Sequence, residues 1–269
     1  MQIKVLGPLE AELNSRSVTP TAAKPRQVLA LLALRPGRAV PVPTLVQELW
    51  GDRPPRSART TLQTYVLQLR RLIAAALAVA GPGGAKNVLV TRFGGYLLDI
   101  SPEDVDVHGF ERLVRAGERA HEARDHESAS RLLGSALALW RGPPLVDVRA
   151  GPALAIEVVR LDECRLGALE SRIDSDLRIG RHHTILSELA MLTAQHPTHE
   201  NLCAQYMISL FRSGRQWQAL DAFKALRSTL VDELGVEPST RLRQLRQSIL
   251  DSDPRLDHVE PTELRTMRA

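Results

Sequence analysis

Pro54 and Pro55 stand back to back between two amphipathic runs, and no other feature constrains this chain as tightly. A proline inside a helix lacks the amide donor and clashes with the preceding turn. Thr44 to Trp50 and the run that follows Ser57 are therefore separate helices, joined by the turn Gly51 to Arg56. In the second run Leu62, Val66, Leu69 and Ile73 recur at spacings of four, three and four, which puts them on one helical face. The opposite face carries Arg56, Thr60, Gln63, Thr64, Leu67 and Arg71, with Gln68 and Arg70 on its flanks. A strip of Arg, Gln and Thr is the chemistry that reads base edges and phosphates in a DNA major groove. A solvated basic face would show the same composition, so the flanking elements decide.

Ser57 is positioned as an N-cap, which starts this central helix at Ala58 and places Arg56 and Arg59 at its positive end. The macrodipole disfavours cations there, and an outside polyanion would offset that conflict. Upstream, residues 2–13 read as two short strands around Gly7-Pro8, with a third at Ser17 to Pro20. Lys24 to Leu34 is a helix with Pro25 in its first turn, and Ala39 to Val42 is extended. Trp50 lies on an apolar face and is expected as a core plug rather than a platform for a base.

Downstream, GPGGAKN at 81–87 reads as a loop and lacks the order of a phosphate-cradling motif. Val88 to Phe93 and Tyr96 to Ile100 are β-prone runs around Gly94-Gly95, the pattern of a two-residue hairpin. Such a hairpin directly after the central helix is a wing. Arg92 and Lys86 are placed to reach phosphates or the minor groove, and Tyr96 either packs on the hairpin or bonds a phosphate.

Charge supports this layout. Residues 1–100 hold 13 Lys and Arg against 5 Asp and Glu, whereas the remainder holds 22 against 26, so the net +4 is carried by the front of the chain. Aromatics make up only 4% of the 269 residues, so the cores must rest on Leu, Ala and Val, which favours helices. The N-terminus has no signal-peptide pattern, and the longest apolar run, Leu72 to Ala80, is too short to span a bilayer. A cytoplasmic, nucleoid-associated chain that makes no membrane contact is expected. Cys164 and Cys203 sit in helical patterns with no CxxC partner and are expected as buried reduced thiols.

From Asp106 the pattern is helical throughout. LRIGRHHTILSEL from Leu177 and LFRSGRQWQALDAF from Leu210 align Gly180-Arg181 with Gly214-Arg215, a shift of 34 residues and the tetratricopeptide period. His126 to Leu139 resembles the second helix of an earlier unit, interrupted by Arg141 to Gly151. At least three stacked helix pairs follow, closed by a last helix at Glu237 to Leu250. Such repeats leave a concave surface for a partner.

The order of N-terminal sheet, three helices and hairpin resembles the OmpR-type winged helix-turn-helix. The phrases KPRQVLALLALRPGRAVPVPTLVQELWGDRPPRSARTTLQTYVLQLRRLI, RFGGYLLDI, DVHGFERLV, ALALWRGPPLVDV and VDELGVEPSTRLRQL, in that order across residues 1–252, resemble the streptomycete antibiotic regulatory protein family. The expected fold class is mainly α with small β elements: a winged helix-turn-helix at 1–100, an all-α tetratricopeptide-like bacterial transcriptional activation domain at 106–252, and a disordered tail at 253–269. The resemblance implies a transcriptional activator of an antibiotic or other secondary-metabolite gene cluster. It further implies head-to-tail binding to direct repeats in double-stranded DNA, contact with the RNA polymerase holoenzyme, and self-association as a possible homodimer. Unlike larger members of the family, the chain is expected to lack an ATPase, sensor or receiver module.

On this reading Thr60, Gln63, Thr64, Leu67 and Arg71 face base edges: Gln63 toward adenine, Arg71 toward guanine or phosphate, Leu67 toward a thymine methyl. Lys24, Arg26, Arg56, Arg59 and Arg70, with Lys86, Arg92 and Tyr96 at the wing, supply the phosphate grip. No catalytic site is expected, since neither GxSxG nor HExxH occurs. Nor is a metal or other cofactor: His182-His183 and the trio His196, His199 and Cys203 fall in different elements, and Pro197 separates His196 from His199. The rival readings are a repeat scaffold whose winged domain binds protein, and a regulator that senses a metabolite through its repeats.

Overall fold

The computed structural model describes residues 1–77 and 84–256. They form two compact units, the first combining Met1–Val114 with Ser135–Leu166, the second combining Arg115–Gly134 with the chain from Gly167 onward. The first unit thus draws on two separate stretches of the chain. The reason is the segment after residue 139, which returns to the N-terminal sheet.

The first unit opens with β1 (Gln2–Lys4), β2 (Glu10–Leu13) and β3 (Arg16–Ser17), an antiparallel sheet in sequential order with Gln2 opposite Glu12 and Glu12 opposite Ser17. β3 ends before the expected Ser17 to Pro20 because Asn14 and Ser15, both at positive φ, make a tight turn out of β2. After a polar first turn, helix α1 (Ala23–Ala33) is apolar all round from Val28 to Ala33, each no more than 1% exposed. A helix of that kind is stable only when enclosed. Its neighbours are α2 (Val42–Trp50), α3 (Ala58–Leu77) and the central strand of a second sheet, in which β4 (Val40–Pro41), β6 (Gly95–Leu98) and β5 (Leu89–Arg92) pair in that order. Leu45 and Leu49 of α2, and Leu62, Val66, Leu69 and Ile73 of α3, complete this core. Burying one such side chain stabilises the fold by about 1.5–3 kcal/mol before entropy is subtracted.

Of the expected loop GPGGAKN, residues 81–83 lie outside the described residues, whereas Ala85–Val88 make a one-turn helix, α4. The hairpin turn is Phe93-Gly94, not Gly94-Gly95, because Arg92 and Gly95 form the last strand pair. Gly95 is needed for another reason: a Cβ there would stand 2.3 Å from the Val40 carbonyl of β4.

The apparent interruption at Arg141 to Gly151 is a strap across the first sheet. The Arg141 amide donates to the Leu6 carbonyl at 2.8 Å, and the Leu145 amide to that of Gly7 at 2.8 Å. Gly7, at φ +147°, has no room for a side chain, since its Cβ would meet that of Arg141 at 2.9 Å. Trp140 stands edge-on to Phe110 at 5.3 Å, beneath the Arg165 guanidinium at 4.8 Å. Asp106, the first residue of α5 (Asp106–Glu122), accepts the Val5 and Leu6 amides at 2.8 and 3.1 Å. Burial nevertheless holds its carboxyl above the ordinary range.

The second unit contains α8 (Leu186–Gln195), α9 (Glu200–Arg212), α10 (Gln216–Thr229) and α11 (Thr240–Leu250), with α6 (His126–Leu137) up to Gly134 and the later parts of α5 and of α7 (Pro152–Arg178). Gly117 of α5 lies so close to Leu133 of α6 that a Cβ would stand 2.6 Å from its Cγ. Gly180 and Gly214, aligned by the 34-residue shift, both take positive φ, at +79° and +72°. The following amides, Arg181 and Arg215, each reach back five residues, to Asp176 and Leu210, at 2.9 Å. Such left-handed caps end helices by satisfying orphan carbonyls. α11 starts at Thr240 rather than Glu237, because Ser239 caps it by accepting the Leu242 amide at 3.3 Å. Cys203 packs in the α9–α11 core, where burial pushes its thiol up to about 12, and Cys164 is half-buried. Residues 254–256 of the tail form a turn of 3-10 helix, with the Leu256 carbonyl accepting from Arg212 Nε at 2.8 Å; the expected disorder of 257–269 lies outside the described residues.

Candidate nucleic-acid interface

α3 presents the surface that its periodicity predicts. Ala58, Leu62, Val66, Leu69, Ile73 and Ala76 are buried, while Arg56, Arg59, Thr60, Gln63, Thr64, Leu67 and Arg71 are exposed. Leu67 keeps 49% of its surface in water, an apolar group in the middle of a polar strip. The Thr64 hydroxyl donates to the Thr60 carbonyl at 3.2 Å, which fixes its rotamer and leaves its oxygen lone pairs outward. The first turn of α3 contains no acidic residue. Among the described residues, Arg56, Arg59 and Arg71 form neither an ion pair nor a side-chain hydrogen bond, and the same holds for Lys86 on α4 and Arg92 on β5.

Four other residues expected on the phosphate grip are engaged inside the protein. The Lys24 ammonium donates to the Leu49 carbonyl and lies 5.4 Å over the Trp50 ring; burial, with Arg149 nearby, lowers its pKa. Arg26 donates to the carbonyls of Pro20 and Leu9 at 3.2 Å and pairs with Asp147 of the strap. Tyr96 is 7% exposed at the centre of the wing sheet, opposite Val40 on one side and Thr91 on the other, so its phenol belongs to the core. Arg70 joins its helix to the wing: Nε and Nη2 donate to the Leu89 carbonyl at 3.0 and 2.8 Å, and Nη2 also to Thr91 Oγ1 at 2.8 Å. It positions β5 against α3 rather than facing outward. Trp50, half-buried, stacks on Tyr65 of α3 at 6.3 Å and keeps its role as packing between α2 and α3.

One residue that fixes this geometry carries no sequence signal. Glu48 of α2, only 3% exposed, accepts the Gly151 and Ala153 amides at 2.6 and 2.7 Å and the Leu154 amide at 3.2 Å. Its carboxylate caps the N-terminus of α7, and Gln27 of α1 donates to both its side chain and its carbonyl. Gly151 must be glycine, because a Cβ would lie 2.0 Å from the Glu48 carbonyl. The helix before the turn is thereby locked to the strap. The His182 and His183 rings lie 4.3 Å apart, tilted by 45°, and His199 pairs with Glu170 at 2.9 Å while serving as the α9 N-cap. No helix among the described residues is long and apolar enough to cross a membrane.

Comparison with known proteins agrees with this architecture. Residues 17–98 match the family described as transcriptional regulatory protein, C terminal, and residues 105–250 match the bacterial transcriptional activator domain. The chain is 58% identical to the regulatory protein DnrI of Streptomyces peucetius, over 97% of this chain and 96% of that protein. It is 37% identical to the transcriptional regulator RedD of Streptomyces coelicolor, covering 94% of this chain and 71% of RedD. Against the regulatory protein AfsR of the same species identity is 38%, and the chain spans 26% of AfsR's length. A solved structure of Mycobacterium tuberculosis EmbR in complex with a low-affinity phosphopeptide superposes with a TM-score of 0.86 at 34% identity, covering 94% of this chain and 65% of that one. The mainly helical fold, the winged element and the repeat region are shared, and the chain belongs to the streptomycete antibiotic regulatory protein family of transcriptional regulators.

Proposed function

We propose that the chain activates transcription by gripping duplex DNA sequence-specifically through α3 and the wing. The observation that supports this most strongly is the exposed strip of α3, where Arg56, Arg59 and Arg71, unpartnered among the described residues, stand beside Thr60, Gln63, Thr64 and Leu67, with Lys86 and Arg92 likewise unpartnered at the wing. Arg56 and Arg59 at the α3 N-terminus, with Lys86 and Arg92 at the wing, hold phosphates. Thr60, Gln63, Thr64, Leu67 and Arg71 face base edges in the major groove. Lys24, Arg26, Arg70 and Tyr96 are withdrawn from the contact set, with Arg70 kept as the brace that sets the wing.

The family relationship extends the proposal to direct-repeat operators, occupied head to tail by two copies and contacting RNA polymerase holoenzyme in the cytoplasm, with a secondary-metabolite gene cluster as the target. Footprinting on matched and scrambled sites tests the contact assignment. Arg71→Ala should weaken specific binding by about 1–3 kcal/mol and leave the scrambled site almost unaffected. Lys86→Ala should weaken both evenly and shallow the salt slope by about one unit. Equal losses on both DNAs for Arg71→Ala would remove it from base readout. A wild-type chain that shifts no duplex at low salt would favour the protein-binding scaffold instead.

A further inference from the structure

We infer that Phe93, at the tip of the wing, is an apolar wedge that enters the minor groove of the bound duplex and makes the site sensitive to how easily one base step deforms. This rests on the duplex-binding reading above and deepens it. A single exposed apolar side chain is ordinary on a protein surface. Phe93 is selected by three further observations.

The first is its presentation. Its relative exposure is 109%, so the ring rests on nothing among the described residues, whereas Phe110 and Phe223 are buried and Phe211 packs against the α9–α11 core. The backbone beneath it is nonetheless pinned. Gly94 takes φ +77°, its carbonyl accepts the Val42 amide at 2.8 Å, and Arg92 and Gly95 close the strand ladder. Gly95 lies flat against the Val40 carbonyl. A ring held out on a fixed backbone has less ordering entropy left to lose on binding.

The second is its company. Arg92 beside it and Lys86 at the base of the hairpin are exposed and unpartnered, and from residue 84 to Leu98 there is no acidic residue. An apolar ring framed by free cations complements a polyanion with an apolar interior. A minor groove is that kind of surface, with phosphates on its rims and deoxyribose and stacked bases inside.

The third is reach. Arg70 ties β5 to α3 at Leu89 and Thr91, and Phe93 stands two residues, about 7 Å, past Thr91, on a short arm fixed to the helix that enters the major groove. With the exposed face of α3 in a major groove, the hairpin crosses one phosphate backbone and its tip arrives at the next minor groove. Phenylalanine has no donor or acceptor with which to read a base edge, so its discrimination must come from unstacking. Pyrimidine–purine steps resist that least, and A-tracts most.

The test uses the full chain with a duplex that it selects from a randomised pool, fluorescent labels at both DNA ends reporting the bend. Two derivatives carry a TA step or an A-tract where the wing is footprinted. Phe93→Ala should melt like wild type, lose affinity for the TA duplex on the order of tenfold, straighten it, and bind the TA and A-tract duplexes alike. Phe93→Leu should retain most of the bend. Arg92→Ala should weaken both duplexes equally and leave their difference intact. Wild-type affinity and wild-type bend in Phe93→Ala would overturn the inference while leaving duplex binding in place. A wild-type chain that enriches no duplex from the pool would overturn duplex binding itself, and the wedge with it.

Discussion

Cations serve opposite ends in two regions of the first unit. On α3 and the wing Arg59, Arg71, Lys86 and Arg92 are exposed and, among the described residues, form no ion pair. Around the strap two are tied down, Arg26 to Asp147, and Arg141 to Glu10 at 2.7 Å and to the Pro8 carbonyl at 3.0 Å, while Arg149 is exposed. The residue type is the same in both places, and the supply of acids differs. Of the five Asp and Glu in residues 1–100, Glu10 is paired at the strap and Glu48 is turned into the α7 N-terminus. Exposed arginines also stand at Arg16, Arg35, Arg38 and Arg53, so the basic surplus of residues 1–100 reaches beyond α3 and the wing; what sets those two elements apart is that their cations flank a polar strip.

Removing the strap's anchor should produce the largest effect. Glu48→Ala deletes a buried carboxylate that satisfies three amides and a glutamine, leaving those donors without acceptors. We expect a loss of about 2–4 kcal/mol of unfolding free energy in urea. Glu48→Gln should recover part of it by keeping one acceptor oxygen. A variant as stable as wild type would mean that the strap holds without its cap, and the contrast between the two regions would lose its structural half.

A pair of arginines sharpens the contrast directly. Arg26→Ala should cost about 1–2 kcal/mol of stability, through the lost bonds to Asp147, Leu9 and Pro20, and leave the salt slope of DNA affinity unchanged. Arg59→Ala should do the reverse, shallowing the slope by about one unit while leaving the melting curve where it was or slightly higher, since it removes a cation from a helix N-terminus. If the two variants exchanged phenotypes, exposure and pairing would be poor guides to what these side chains do.

These cases also mark what could be read from residues alone. The α3 strip was legible because helical periodicity separates Leu62, Val66, Leu69 and Ile73 from Thr60, Gln63, Thr64 and Arg71 without reference to any other element. The wing was legible from Gly94 and Gly95, although the turn is set one residue earlier by the close approach of β4. Lys24 and Arg26 were misplaced because a basic residue near a basic surface has the same local pattern whether it faces solvent or a carbonyl. Asp147, the partner of Arg26, lies 121 residues away, and no local period encodes that distance. Tyr96 was ambiguous until β4 was seen to pair with β6, making β6 a central strand buried along its length. Glu48 gave no warning at all, being one charged residue in an amphipathic helix whose partner amides come from residues 151–154.

The smallest expected effect concerns the second unit, where the repeat itself supplies the comparison. The turn between α5 and α6 has the form of those at Gly180 and Gly214: the Asp125 amide reaches back to the Ala120 carbonyl at 2.9 Å, and the residue before it is left-handed at φ 63°. That residue is Arg124, so the earliest helix pair closes on a side chain where the later two close on glycine. A left-handed residue with a Cβ is disfavoured by about 1–2 kcal/mol, part of which glycine returns through the greater freedom of its unfolded chain. Arg124→Gly should therefore stabilise the protein by about 0.5 kcal/mol, seen as a raised urea midpoint at unchanged slope. Gly214→Ala, with open space around the new methyl, should destabilise the protein by about 1 kcal/mol through the backbone alone, seen as a lowered midpoint. If Arg124→Gly lowered the midpoint as well, the three turns would not be equivalent, and the likeness of His126–Leu137 to the later repeats would be one of pattern without shared geometry.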